Sequence, residues 1–225
     1  MAPIGTLWGK THQPQTKVIL SVAALNGLEL ELPEYHFFNR PAEYTSKFPY
    51  GKIPTFEDSD GFKLIEGETI ARYLSGLGTK VNLLGCDAKE TALVNQWIHF
   101  AEHEVWRPGW NINRMVYGFS GPFNREILDK QKEQLERALT YLETYFATRP
   151  SGYLVSDSMT LADLVLAGVI LSCSKTTLGS AERVKFRLTF AHYAKVTGDE
   201  RVKRFWGTEE FTEVTITEPR AFPYS

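Results

Sequence analysis

The chain has 225 residues with 43% apolar content, enough for one large or two modest domains around a buried core. Lys and Arg total 25 against 27 Asp and Glu, a formal charge of -2 with no run of like charges, which excludes a binder of nucleic acid or membrane surface that works by bulk charge. Two cysteines only (Cys86 and Cys173), no signal-like apolar run in "MAPIGTLWGK" and no stretch of about 18 apolar residues together predict a cytoplasmic protein with free thiols and no membrane span.

"GTLWG" alternates as a short strand, and "QTKVILSVAALNGL" then places Val18, Ile19, Val22 and Leu25 at the spacing of a helix face, stopped by Asn26-Gly27. "LELELPEYHFF" returns to strand character, and "PAEYTSKF" is a short helix beginning at Pro41. "KIPTFED" is a strand, Asp60-Gly61 a hairpin turn and "FKLIEG" its partner, followed by the helix "ETIARYLSGL". This β-α-β-α-β-β order predicts a small α/β sheet with helices on both faces. "GTKVNLLGCDAK" reads as a linker, and beyond it the period is helical, over 89–105, 124–147, 160–177, 180–197 and a short piece near Val202. Pro108-Gly109 predicts a helix break beside Trp106 and Trp110. Two domains follow, an α/β unit over 1–80 and an all-helical bundle over 88–225.

The strand order, with Pro54 opening the third strand in "GKIPTF", is that of the thioredoxin fold, and Pro54 stands where that fold carries a cis-proline. Joined to a helical second domain, the chain resembles a cytosolic glutathione transferase over essentially its whole length. "GKIPTFEDSDGFKLIEGETIARYL" and "SMTLADLVLA" carry most of the likeness; in the latter Thr160 can cap a helix while Asp163 bonds back to the cap, a variant of the capping box. Within the family, "GTLW", "FPYGKIPTFE", "NQWIHFAEHEV" and "RFWGTEEFTEV" look most like the transferase-like domain of the gamma subunit of translation elongation factor 1. Without that subunit's long C-terminal extension, the chain resembles a free-standing, fungal-type transferase.

The resemblance implies a glutathione site. Glu66 stands where the family takes the γ-glutamyl ammonium, and the backbone N–H groups of Gly67 and Glu68, at a helix start, suit the neighbouring carboxylate. Ile53, just before Pro54, should pair its backbone with the cysteinyl residue as an added strand would, and Lys52 should meet the glycyl carboxylate. Singly, Lys52 and Glu66 read as solvated surface charges; at family spacing they read as one site. Gly67 departs from the family's usual serine, which removes a hydroxyl donor and keeps the main-chain N–H. Glu102 in "HFAEHE" is the candidate for an acidic residue that some members extend from the second domain of the other subunit to the ammonium.

Free thiols titrate near about 8.5, so a transferase must lower that value, and the donor must lie in "GKTHQPQ". That loop has no Cys, Tyr or Ser, leaving Thr11, Gln13 and His12 as catalytic candidates, with Thr11 first as the hydroxyl. Trp8, Trp106 and Trp110 are candidates for an acceptor pocket. His99, Glu102 and His103 have the spacing of an inverted zinc-protease motif but read as a polar helix face, so no metal and no cofactor is expected beyond glutathione as co-substrate. The resemblance thus implies a homodimeric, detoxification-type enzyme adding glutathione to a small hydrophobic electrophile, the alternatives being a non-catalytic scaffold module and, below it, a glutathione-dependent peroxidase.

Overall fold

A computed structural model describes residues 2–36, 39–207 and 210–221. Phe37, Phe38, Thr208 and Glu209, which fall in fragments quoted above, lie outside the described residues.

Strand β1 (Gly5–Trp8) pairs antiparallel with β2 (Thr55–Asp58), Leu7 opposite Phe56 and Trp8 opposite Thr55, and β2 pairs antiparallel with β3 (Lys63–Ile65). On the other edge of β1 the segment "LELEL" keeps strand alternation, with Leu28, Leu30 and Leu32 half-buried against the core and Glu29 and Glu31 exposed. Its backbone makes a short parallel contact, Ile4 N–H to Glu29 O at 2.9 Å, Leu7 N–H to Glu31 O at 2.8 Å and Glu31 N–H to Gly5 O at 3.0 Å. The strand expected over "LELELPEYHFF" therefore shrinks to a bridge, and Pro33, which has no N–H, stands where a ladder would have to continue. The Ile53–Pro54 peptide is cis, as the resemblance implies.

Successive strand residues point to opposite faces, and the two faces carry different cores. Leu7 and Phe56 pack under α1 (Pro14–Asn26) and α3 (Gly67–Leu77), among Ile19, Val22, Ile70 and Leu74. Trp8 turns the other way, into a cluster with Phe48 and with Tyr44 of α2 (Ala42–Lys47). Helix α1 ends as its sequence dictates, with Gly27 in the left-handed region at φ 70° returning its N–H to the last turn.

The helical part runs through α4 (Ala88–Phe100), α5 (Arg107–Val116), α6 (Arg125–Ala147), α7 (Leu161–Ser174), α8 (Ser180–Lys185), α9 (Arg187–Thr197) and α10 (Lys203–Trp206). The break expected at Pro108-Gly109 does not occur. Between α4 and α5 the helix widens into a π segment (Ala101–Trp106), in which the Arg107 N–H reaches back to Glu102 O, and Pro108 sits in the first turn of α5, where its missing N–H costs little. Gly109 serves contact instead: a Cβ there would lie 2.5 Å from Cys173 Sγ of α7. The helix expected over 180–197 is two, parted at Phe186, because Glu143 of α6 accepts from the N–H groups of Leu188 and Thr189 at 3.0 and 2.7 Å and so caps a new start.

Helix α7 is the axis of this part, with every residue but Ser172 buried. It touches α1, α4, the π segment and α9, which joins the helical bundle to the sheet unit. Cys86 is exposed and Cys173 buried; both are free thiols. Among the described residues no helix is long and apolar enough to cross a membrane.

Candidate functional site

A cleft of about 470 Å³ opens where the N-termini of α1 and α3 meet the π segment and α7. Pro14, Gln15 and Val18 line it from α1, and Glu66, Gly67, Glu68 and Thr69 from the start of α3. Glu102, His103, Trp106 and Arg107 face them from the widened helix, and Val165, Gly168 and Val169 form the floor. Gly168 lets α7 come this close, since a Cβ there would lie 3.2 Å from Val18 Cγ2 and 3.6 Å from the Pro14 carbonyl oxygen.

The two helix starts at the cleft differ from those of α4 and α6. Asp87 caps α4 by accepting from Lys89 and Glu90 N–H at 2.8 and 2.9 Å, and Asn124 caps α6 by accepting from Ile127 N–H at 3.0 Å. Neither α1 nor α3 has a side-chain cap. Both starts border the cleft, where the helix dipoles favour an anion, although Pro14 at the first position of α1 brings no N–H. Glu66, the residue before α3, holds φ 69° and ψ 119°, outside the ordinary regions for a residue with a Cβ, a local strain of the kind that collects at binding sites.

Of the residues marked out by sequence, Glu66, Gly67, Glu102 and Trp106 come together at this cleft. Pro54 adjoins it, its Cγ 3.3 Å from where a Cβ on Gly67 would stand. Ile53 packs beside the Trp8 and Tyr44 cluster, with the β1–β2 ladder ending two residues further on at Thr55. Lys52 is exposed, its Nζ 5.0 Å from the Tyr50 ring centre, while its carbonyl accepts from Tyr44 Oη at 2.6 Å. Helix α2 thereby steadies the stretch leading into Pro54.

The loop 10–13 is closed on itself, Gln13 N–H bonding to Lys10 O at 2.8 Å and Lys10 N–H to Gln13 Oε1 at 3.2 Å. Thr11 and His12 are exposed at its tip, Gln13 is half-buried at the α1 cap, and none of the three lines the cleft.

Two placements differ from expectation. Trp8 is 3% exposed on the sheet face opposite the cleft, because alternation in β1 sends Leu7 to the α1 side and Trp8 to the α2 side. Trp110 stays outside the cleft wall and stacks on Trp106, ring centres 5.6 Å apart and 11° from parallel. Glu102 lines the cleft of its own chain beside Glu66 and Glu68.

His99 and His103 stack at 5.8 Å, and no group of three or more potential metal ligands converges among the described residues.

Burial, then the charge of Glu68, holds the Glu102 carboxyl above the usual range; His103 and His99 oppose this, and Glu66 adds to it. A carboxyl raised in this way binds its proton more tightly in the folded chain, so its contribution to stability is full at low pH and lost as pH rises through the raised value. Glu102→Gln should therefore melt at a higher temperature than wild type at neutral pH, the gap closing as the solution falls below the ordinary carboxylate range. A gap that stays constant with pH would contradict this electrostatic reading.

Gln15, Arg107, Val165 and Val169 are cleft residues that sequence reasoning missed. Helix α7 is apolar on all sides, so its period says nothing of which face lines a cleft. Gln15 carried no motif of its own.

Residues 3–76 match the family model for the glutathione S-transferase N-terminal domain, and residues 116–209 that for the glutathione S-transferase C-terminal domain. The chain belongs to the glutathione S-transferase family. It is 36% identical over 217 residues to the glutathione S-transferase-like protein LUC7 of Fusarium sp, covering 95% of this chain and 98% of that one. Elongation factor 1-gamma of Rattus norvegicus is 31% identical over 190 residues, 81% of this chain but only 41% of that longer protein. In fold, the glutathione S-transferase-like domain of elongation factor 1-gamma from Saccharomyces cerevisiae superposes with a TM-score of 0.84 at 21% identity, over 98% of this chain and 100% of that one. The small sheet unit joined to a helical bundle is thus the glutathione transferase fold.

Proposed function

We propose that the protein is a glutathione transferase, joining the thiolate of glutathione to a hydrophobic electrophile. The observation that carries this reading is the single cleft in which two uncapped helix starts and Glu66 face an apolar wall of Val18, Trp106, Val165 and Val169. The uncapped N–H groups and Glu66 suit an amino-acid head group, whose carboxylate and ammonium they complement. The apolar wall suits an acceptor that water would otherwise surround. Between them, the start of α1 suits a thiolate through its dipole. Of the three candidates Gln13 stands at the α1 cap, its oxygen accepting from Lys10 N–H and its amide N–H₂ left as the donor that could serve a sulfur there. Thr11 and His12, exposed at the tip, would have to turn inward.

A non-catalytic module is the second reading, favoured by one feature: of the residues lining the cleft, only Thr69 carries a hydroxyl and none carries a thiol. It also fits a relative named as an elongation factor subunit. The two readings part on the thiol. Ultraviolet thiolate absorbance of bound glutathione, titrated with pH, should show a value well below about 8.5, and Gln13→Ala should return it towards that value. A screen over halide, epoxide, isothiocyanate and peroxide acceptors should then give turnover. Bound glutathione with an ordinary thiol and no turnover would favour the module.

A further inference from the structure

Glu102 is a half-buried carboxyl on the cleft wall that faces α1. It sits in the π segment, a local widening of the kind that collects at functional sites. Its backbone carbonyl takes the Arg107 N–H, and its carboxyl makes no hydrogen bond or ion pair among the described residues. The neighbouring carboxyls are placed differently: Glu68 is bound by Arg72 at 2.9 Å, Glu104 has Arg137 at 3.8 Å, and Glu66 is exposed. Around Glu102 the wall is apolar, with Trp106 on the same helix and Val165 and Val169 on the floor. Such surroundings disfavour an ionised carboxyl, and burial is the main reason that Glu102 holds its proton above the usual range.

A sulfur held at the start of α1 attacks from one side of the cleft, and in a displacement at saturated carbon the departing group leaves on the opposite side. That side is the widened helix, where Glu102 faces Pro14 and Gln15. A halide leaves as a stable anion and has no use for an acid there, whereas the oxygen of an opening epoxide needs a proton. Of the other lining side chains with a proton to give, Thr69 stands with α3 and His103 is exposed to water, which leaves Glu102 as the sheltered donor. We infer that Glu102 is the proton donor to the acceptor, and that the acceptor is an epoxide opened by the glutathione thiolate. The sulfur–carbon bond forms as the carbon–oxygen bond breaks, the electron pair of that bond passes to oxygen, and the oxygen takes the Glu102 proton. The carboxylate left behind regains a proton from water, which balances the one lost earlier by the thiol, so that glutathione and epoxide give one hydroxy thioether. This rests on the transferase reading above and names its substrate class and its acid.

The test compares kcat/KM for styrene oxide and for 1-chloro-2,4-dinitrobenzene at saturating glutathione between about pH 5.5 and 8. Their ratio cancels the ionisation of the thiol, which both reactions share. In wild type the ratio should fall as pH rises through the raised value of Glu102, because the protonated form is the one that acts. Glu102→Gln should lower the ratio about a hundredfold at the acid end, the lower range for a general acid, and make it independent of pH. Glu102→Asp should restore part of the ratio and its pH dependence. The charged or titratable groups that face Glu102 are Glu66 and Glu68 from the α3 start, His99 and His103 on its own helix and Arg107 at the start of α5; the cleft residues of α1 and α7 carry no charge, and Arg137 of α6 lies against Glu104. A pH dependence that survives in Glu102→Gln would therefore belong to His99 or His103 and would overturn the proposal. Equal loss for both acceptors, with the ratio unmoved, would show a contact to glutathione or a structural role and would overturn it too. Turnover of the halide with none of the epoxide would overturn it while leaving the transferase reading standing, and turnover of neither would remove both.

Discussion

Glu66→Ala is expected to weaken glutathione binding by about 1.5–3 kcal/mol, roughly 10- to 150-fold, the largest loss among single changes at the cleft. The carboxylate is the charge that an α-ammonium would meet at the α3 start, and Glu68, its neighbour, is engaged by Arg72. The fold should survive. Glu66 is exposed, and alanine carries the same Cβ, so the strain of φ 69° is unchanged by the substitution. Glu66→Gln keeps the shape and removes the charge, and should lose most of the same affinity if charge is what matters. Calorimetry on wild type and both variants decides the point, with a melting curve to confirm folding. Unchanged affinity in Glu66→Ala would remove Glu66 from the site and the peptide-binding reading with it.

Asp163→Ala should cost more, at least about 4 kcal/mol of folding stability, against a total of about 5–15 kcal/mol for a typical domain. Its carboxylate, fully buried, accepts from Thr160 N–H at 2.7 Å, Thr160 Oγ1 at 2.8 Å and Leu154 N–H at 2.8 Å, and lies 3.0 Å from His192 Nε2. Alanine leaves these groups without a partner and out of reach of water, each at about 1–3 kcal/mol, and the loss need not be additive. Asp163→Asn keeps one oxygen acceptor but turns an N–H₂ towards donors, and should fall between. Urea unfolding followed by circular dichroism is the measurement. The arrangement would be misread if Asp163→Ala moved stability by less than about 1 kcal/mol. Because α7 also floors the cleft through Val165, Gly168 and Val169, partial unfolding here should lower ligand affinity as well.

These two residues also show how far the sequence reached. Glu66 and Gly67 were legible because a helix start announces itself by local pattern, and a helix start is an anion site wherever it lies. The Thr160 to Asp163 capping pair was legible for the same reason, being three residues apart in one turn. Most elements followed from period and turn chemistry: α1 ending at Gly27, the hairpin at Asp60-Gly61 and α6 starting after Asn124 are all local decisions.

What the tertiary structure decided are matters set by residues far apart in the chain. Leu154 and His192 complete the Asp163 cluster from 9 and 29 residues away. Glu143 parts α8 from α9 across 45 residues of chain, which no pattern within 180–197 could signal. Pro108-Gly109 looked like a break because proline and glycine punctuate isolated helices; a π turn before them and the approach of Cys173 made them a packing surface. Trp8 had the composition of a pocket residue, but its face was set by pairing with Thr55. Gln15 had no signal at all, since its place over Gly67 exists only once α1 and α3 lie side by side. Sequence by itself determined the elements, the family likeness and the parts of the site that a single helix start can hold. Packing decided which side chains share the cleft, because that depends on burial and close approach between elements rather than on neighbours along the chain.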